Sequence, residues 1–286
     1  MRHHARINPA ARIIPAICLW LALTAAGPAS AFDLNDLVEL GDKLKKINTE
    51  VTPEEEARIG GNLVSGLLGA APLVDDDRLQ RYVNDVGYWV ASRSERPDLP
   101  WTFGVIDSQG INAFAAPGGY VVVTLGLYNL LDNEAQLAGV LAHEISHVVR
   151  KHHLQALNKV LKREFWTGLA AASVKDKNDR KNFETLVNSG VQLYATGLDR
   201  KYEYEADLRG VVLAARAGYD PYALLDVLTT IDSISPDSAD LTVLLNTHPP
   251  TAERLQRLAR NMDGRLDAYA AGQSNLQRFI SISAAR

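Results

Sequence analysis

Cysteine is nearly absent from this 286-residue chain: the single one, Cys18, lies in an apolar run near the start. Disulfides, thiolate metal sites and a cysteine nucleophile are therefore excluded from everything after it. An excess of positive charge is missing too. Thirty Lys and Arg stand against 34 Asp and Glu, for a formal net charge of −4. A phosphate-binding surface needs clustered basic residues, so nucleic acid is excluded as a main partner. No segment repeats at a period typical of solenoids. There is also no membrane-length apolar run: Ile13 to Ala26 is uncharged but spans only 14 residues, against the roughly 20 that a helical span needs. With 47% hydrophobic and 22% charged residues, a disordered or fibrous chain is excluded as well, and the length suffices for a sizeable core.

The start of the chain is present for another reason. Arg2, Arg6 and Arg12 precede the apolar run, and Ala29-Ser30-Ala31 follows it. Basic start, short apolar core and small-x-small site predict a cleavable signal peptide over 1–31, cut before Phe32. The alternative is an uncleaved anchor, which would keep the protein membrane-associated. Ile17 before Cys18 is not the small residue that lipid attachment wants. Cleavage removes three arginines and takes the net charge to −7. A cysteine-free exported chain fits a bacterial periplasm.

Further on, Thr52-Pro53-Glu54-Glu55 predicts a capped helix start, with the acids 54–56 facing the positive dipole end. Asp75-Asp76-Asp77 predicts a cap for a helix over 78–92 rather than a calcium loop. WTFGVID (101–107) and YVVVT (120–124) read as strands, with a turn at Pro117-Gly118-Gly119 between them. Asn133, with Gln136 three residues on, predicts the cap of a helix running to about His153. Two amphipathic helices around the polar break 175–179 are expected over 154–195, another over 201–217 ending at Gly218, and one over 252–261. Few strands and many helices predict an α+β protein.

The chemistry centres on His143-Glu144-Ile145-Ser146-His147. On a helix the two histidines sit one turn apart and only about 40° round, so two imidazole nitrogens converge on one ion. Glu144 is offset by about 100° and projects beside that ion, in reach of a water. Chance gives roughly 0.008 copies of this pattern at this composition, and the apolar flanks 137–141 and 148–149 predict a buried helix. A catalytic zinc site needs a third protein ligand. His152 and His153 fall about 140° and 240° round from the ligand face, and are expected to finish the helix C-terminus beside Arg150 and Lys151. Glu203 and Asp207 share one face of the 201–217 helix. Such a pair alone is weak evidence, but beside the His-Glu helix it is the best completion: Glu203 on the metal, and Asp207 accepting the second N–H of a ligand histidine. Glu205 is expected to be solvated.

The segments NAFAAPGGYVVVTLGL and LDNEAQLAGVLAHEISHVVRKH, followed by EYEAD, resemble metallopeptidase family 48, in the soluble branch of bacterial periplasmic BepA-like and mitochondrial Oma-like proteases. The resemblance covers about Thr52 to Arg257. It implies a mainly helical zincin-type domain over 32–286 with a small mixed β-sheet, residues 32–51 being an N-terminal extension. It also implies a gluzincin endopeptidase with one zinc held by His143, His147 and Glu203, Glu144 as base and Asp207 behind a ligand. BepA-like members carry C-terminal helical repeats. None follows before Arg286 here, so substrate docking is expected from elsewhere.

Similar members have a His-Pro segment near the site, which gives His248 two expected roles: donor to the oxyanion, or reversible extra zinc ligand. The alternative is a surface histidine at a helix entry. Arg254 either pairs with a site carboxylate or sits exposed. Asn112, Ala113, Phe114 and Ala115 are the candidate substrate strand, an exposed edge for extended peptides, against an ordinary buried hairpin. The expected activity is peptide hydrolysis on unfolded or misassembled polypeptides, with outer-membrane assembly proteins as possible partners. The competing reading is a holdase or assembly factor that rarely cleaves. A purely structural zinc protein is disfavoured, because such sites close with four ligands.

Overall fold

Thr52 starts helix α1 (Pro53–Ala70) as its capping box predicts. Its Oγ1 accepts from the Glu55 N–H at 3.3 Å, and the Glu55 carboxylate accepts from the Thr52 N–H at 3.2 Å. In this computed structural model the described residues are 51–159 and 197–284. They all belong to one compact unit, Asn35–Arg286; the other unit, Met1–Leu34, lies outside them. The expected signal peptide, the extension up to residue 50 and the polar break at 175–179 are therefore outside the described residues.

Glu56 sits in the acidic first turn of α1, as expected, but does more than face the dipole. It is buried, with Oε1 2.6 Å from Lys151 Nζ and Oε2 accepting from Arg96 at 2.8 Å. Helix α2 (Asp77–Ala91) is capped by Asp76, whose Oδ1 accepts from the N–H groups of Arg78 and Leu79 at 3.0 Å. Its apolar face, Leu79, Val83, Val86 and Val90, is buried and packs on strand β1 (Thr102–Ile106).

The two sequence-predicted strands are β1 and β3 (Tyr120–Thr124), and a short third, β2 (Ala113–Ala116), joins them. The order is β1-β3-β2. β1 runs parallel to β3 with Thr102 opposite Tyr120, and β2 runs antiparallel to β3 with Ala113 opposite Val123. The sheet is thus mixed, with β2 at its edge. The tight return from β2 to β3 is made by Gly118 and Gly119 at φ +82° and +103°, a region that L side chains avoid. Helix α3 (Leu125–Leu130) follows at once.

Helix α4 (Glu134–Val149) is the centre of the molecule. Asn133 Oδ1 accepts from the Gln136 N–H at 3.1 Å, and residues 134–148 are all buried. A helix apolar on most of its circumference must be covered on all sides: α4 packs against α2, β2, α5 (Arg200–Arg216) and α6 (Ala223–Ser233). Helix α7 (Thr242–Thr247) leads to α8 (Thr251–Met262), whose Leu258 and Met262 bury with Val211, Leu224 and Leu228. Helix α9 (Leu276–Ser283) closes the core with Phe279 and Ile282. The architecture is α+β and mainly helical. No described helix is long and apolar enough to cross a membrane.

Candidate metal centre

One face of α4 carries His143 and His147, with their Nε2 atoms 3.1 Å apart and the rings edge to face. From α5, Glu203 brings Oε2 to 3.7 Å from His143 Nε2 and Oε1 to 3.5 Å from His147 Nε2. One ligand atom from each of the three residues lies within 4.8 Å of the other two, and all three residues are buried. The helices approach this closely because residue 210 is glycine. A Cβ there would stand 3.0 Å from the His143 backbone nitrogen and 3.1 Å from its Cα.

The donor set passes a direct test of fit to a metal. Among the described residues, Glu203 Oε2 has no hydrogen-bond partner although it is buried. An unsatisfied buried carboxylate oxygen is costly, and burial pushes the Glu203 carboxyl up to about 7. Two imidazole nitrogens and a carboxylate oxygen suit a divalent first-row ion, which supplies the missing partner.

Each histidine is held from behind. His143 Nδ1 lies 3.0 Å from Asp207 Oδ1, and Arg254 grips Asp207 in two-pronged fashion, Nη2 to Oδ1 at 2.6 Å and Nε to Oδ2 at 3.0 Å. Sequence left Arg254 open between pairing and exposure; here it is buried and paired. Burial alone would raise the Asp207 carboxyl, but the charges and hydrogen bonds of Arg254 and His143 together outweigh it and hold it far below the ordinary range. Burial alone would likewise lower His143, yet the Asp207 hydrogen bond together with the Asp207 and Glu144 charges outweighs it, and the net shift is upward. His147 goes the other way, pushed well down by burial and by its histidine neighbours.

His152 departs from the sequence expectation. It does not finish the helix. Helix α4 ends at Val149, Lys151 adopts φ +56°, and a new helical segment begins at 152. That turn carries His152 back into the core, where its Nδ1 lies 3.0 Å from His147 Nδ1 and it is 1% exposed. Burial pushes it down to about 4. His153, also expected at a helix end, lies on the cleft wall. Glu205, expected to be solvated, is only half-exposed and accepts from Arg150 and Arg209.

Glu144 is buried on the cleft side of α4, and burial raises its carboxyl above the ordinary range. His248, at the end of α7, places Nε2 3.5 Å from Glu203 Oε2, while its Nδ1 lies 2.9 Å from Thr247 Oγ1. It is half-buried against the site rather than a surface histidine, and burial lowers it well below its usual value. Gly197, at φ +76°, passes over Thr247, where a Cβ would strike the carbonyl at 2.0 Å. Ala113, Phe114 and Ala115 of β2 line the same cleft as Glu144, His147, Glu203 and His248. Asn112 does not: it is buried at the strand start, its backbone tied to Thr124. A larger groove lies on the outer face of α5, between Leu208, Val212 and Arg216, and holds none of these residues.

A buried His-Glu helix crossed by a glutamate-bearing helix, under a small mixed sheet, defines a metallopeptidase. Residues 77–262 match Peptidase family M48, and the chain belongs to that family. It is 30% identical over 240 residues to the Beta-barrel assembly-enhancing protease of Escherichia coli (strain K12), covering 82% of this chain and 49% of that one. To the Yersinia pestis protein of the same name it is 30% identical over 271 residues, covering 91% and 56%. The Mitochondrial metalloendopeptidase OMA1 of Schizosaccharomyces pombe is 32% identical over 177 residues, covering 62% and 51%. The chain thus spans about half the length of these curated relatives.

Proposed function

We propose that this chain is a zinc-dependent endopeptidase that hydrolyses unfolded or misassembled proteins in the periplasm, with one zinc per chain on His143, His147 and Glu203. The observation that carries the reading is the convergence of those three donors, with Glu144 buried beside them. Three protein ligands without thiolate make a catalytic rather than a structural zinc set. When bound, zinc polarises the scissile carbonyl and lowers the pKa of water.

Glu144 takes the proton from the attacking water and returns it to the leaving amine. A buried carboxyl raised above its ordinary range suits a group that passes a proton both ways. Asp207, fixed by Arg254, keeps the His143 ring turned so that Nε2 faces the ion. His248 donates from Nε2 to the developing oxyanion. An extended substrate lies along β2, with Phe114, the half-exposed residue of that strand, toward the cleft. Backbone pairing of this kind tolerates many sequences. The envelope role is supported by the relatives named for β-barrel assembly and by the basic, then apolar, start of the chain; outer-membrane assembly proteins are the proposed partners.

The test is cleavage of casein or an unfolded outer-membrane protein by the zinc-loaded chain. Fragments are expected from wild type, none after chelation, and their return with zinc. Glu144→Gln should bind the metal and cut nothing; fragments from that variant would overturn the reading. His248→Ala should slow turnover about 10²–10³-fold, and unchanged kinetics would remove its role.

A further inference from the structure

We infer that His152 and Glu205 form a second orienting chain behind the metal centre, holding His147 as Asp207 and Arg254 hold His143. This rests on the proposed metal site, in which His147 Nε2 faces the ion.

The direction of the chain follows from proton bookkeeping. A neutral imidazole with Nε2 turned to an ion carries its hydrogen on Nδ1. His147 Nδ1 lies 3.0 Å from His152 Nδ1, so the latter must offer a lone pair and His152 must carry its hydrogen on Nε2. That Nε2 lies 3.5 Å from Glu205 Oε2. The other carboxylate oxygen of Glu205, Oε1, is taken by Arg150 at 2.7 Å and Arg209 at 2.9 Å, so Oε2 is the oxygen turned to His152. Only one tautomer of each histidine satisfies the whole series, which runs from Glu205 through His152 to His147.

The ring is also held against rotation. Tyr202 stacks on His152 with centroids 4.6 Å apart and planes 29° from parallel. The left-handed turn at Lys151, pinned by Glu56, sets the backbone from which His152 projects. Such a device differs from the one behind His143. There a buried carboxylate touches the ligand directly, whereas here a neutral imidazole stands between the ligand and a half-exposed carboxylate. His152 is thus a positioning residue, and partners of this kind typically set metal affinity by about 10–100-fold.

The experiment measures zinc affinity of the full chain by competition with a chromophoric chelator, alongside thermal melting of the metal-free protein. His152→Leu should bind zinc about 10–100-fold more weakly than wild type. His152→Asn places an amide oxygen where Nδ1 stood, able to accept from His147, and should recover most of the affinity. Metal-free melting temperatures of the two variants should match each other. Equal affinity of His152→Leu and wild type overturns the inference, as does His152→Asn binding no better than His152→Leu. Should His152→Leu fail to fold, ring ¹⁵N signals of the zinc-loaded wild type decide: Nε2–H at His152 is expected, and Nδ1–H there overturns it. A wild type that takes up no zinc fails the metal-site reading itself, a result distinct from all of these.

Discussion

Two buried glutamates near helix starts, Glu134 on α4 and Glu203 on α5, make opposite use of the same side chain. Glu134 accepts from Tyr82 and Tyr219 at 2.8 Å, from Asn275 at 2.7 Å and from Arg278. Burial pushes its carboxyl up, but these donors outweigh it and the net shift is downward. Glu203 is equally buried, yet Oε2 has no donor among the described residues and its carboxyl is pushed up to about 7. A buried carboxylate with every oxygen satisfied joins elements of the fold, here α2, α4 and the start of α9. One left short, and aimed at two imidazoles, is a place prepared for a cation.

The largest expected effect separates the two. Glu203→Gln should abolish zinc binding and peptidase activity, a loss well beyond 100-fold, while the metal-free protein melts no lower than wild type. Glu134→Ala should do the converse. It leaves two tyrosine hydroxyls without their acceptor and should cost on the order of 3 kcal/mol in denaturant unfolding, with zinc affinity of the folded protein unchanged. If both variants lost stability and neither lost metal, the contrast would collapse.

Asp207→Asn sharpens it further. Zinc affinity should fall about 10–100-fold, and the buried Arg254 loses its counter-charge, so stability should fall with or without metal. The smallest effect is a pH slope. Glu203 has its folded value raised to about 7 from 4.5, so the metal-free folded state holds a proton that the unfolded state has released between those values. Its stabilising contribution is full below about pH 4.5 and is lost as pH rises through 7. Metal-free wild type should therefore lose stability relative to Glu203→Gln by at most about 1 kcal/mol per pH unit across that window. Parallel curves for the two proteins would contradict the assignment.

What the sequence made legible follows from how far each inference had to reach. Within one helix the geometry is fixed, so the common face of His143 and His147 could be read from spacing alone. Glu203 sits 56 residues further on and was legible only as the best-placed carboxylate pair on another helix. The crossing that brings it near depends on Gly210, which no spacing rule marks. His152 was misplaced because rotation was counted through Arg150 and Lys151 as though the helix continued, while Lys151 turns left-handed. β2 consists of Ala, Phe, Ala and Ala, poor in strand-forming residues, and is a strand by pairing with β3. Glu56 was legible only as a first-turn acid because capping is local, whereas its partners Arg96 and Lys151 are distant in sequence.

Anomalous diffraction at the zinc edge from crystals of the zinc-loaded chain tests the central claim most directly. The account predicts one peak, about 2.0–2.2 Å from His143 Nε2, His147 Nε2 and a Glu203 carboxylate oxygen. A peak elsewhere, or a Glu203 side chain turned away from the two imidazoles, would contradict it.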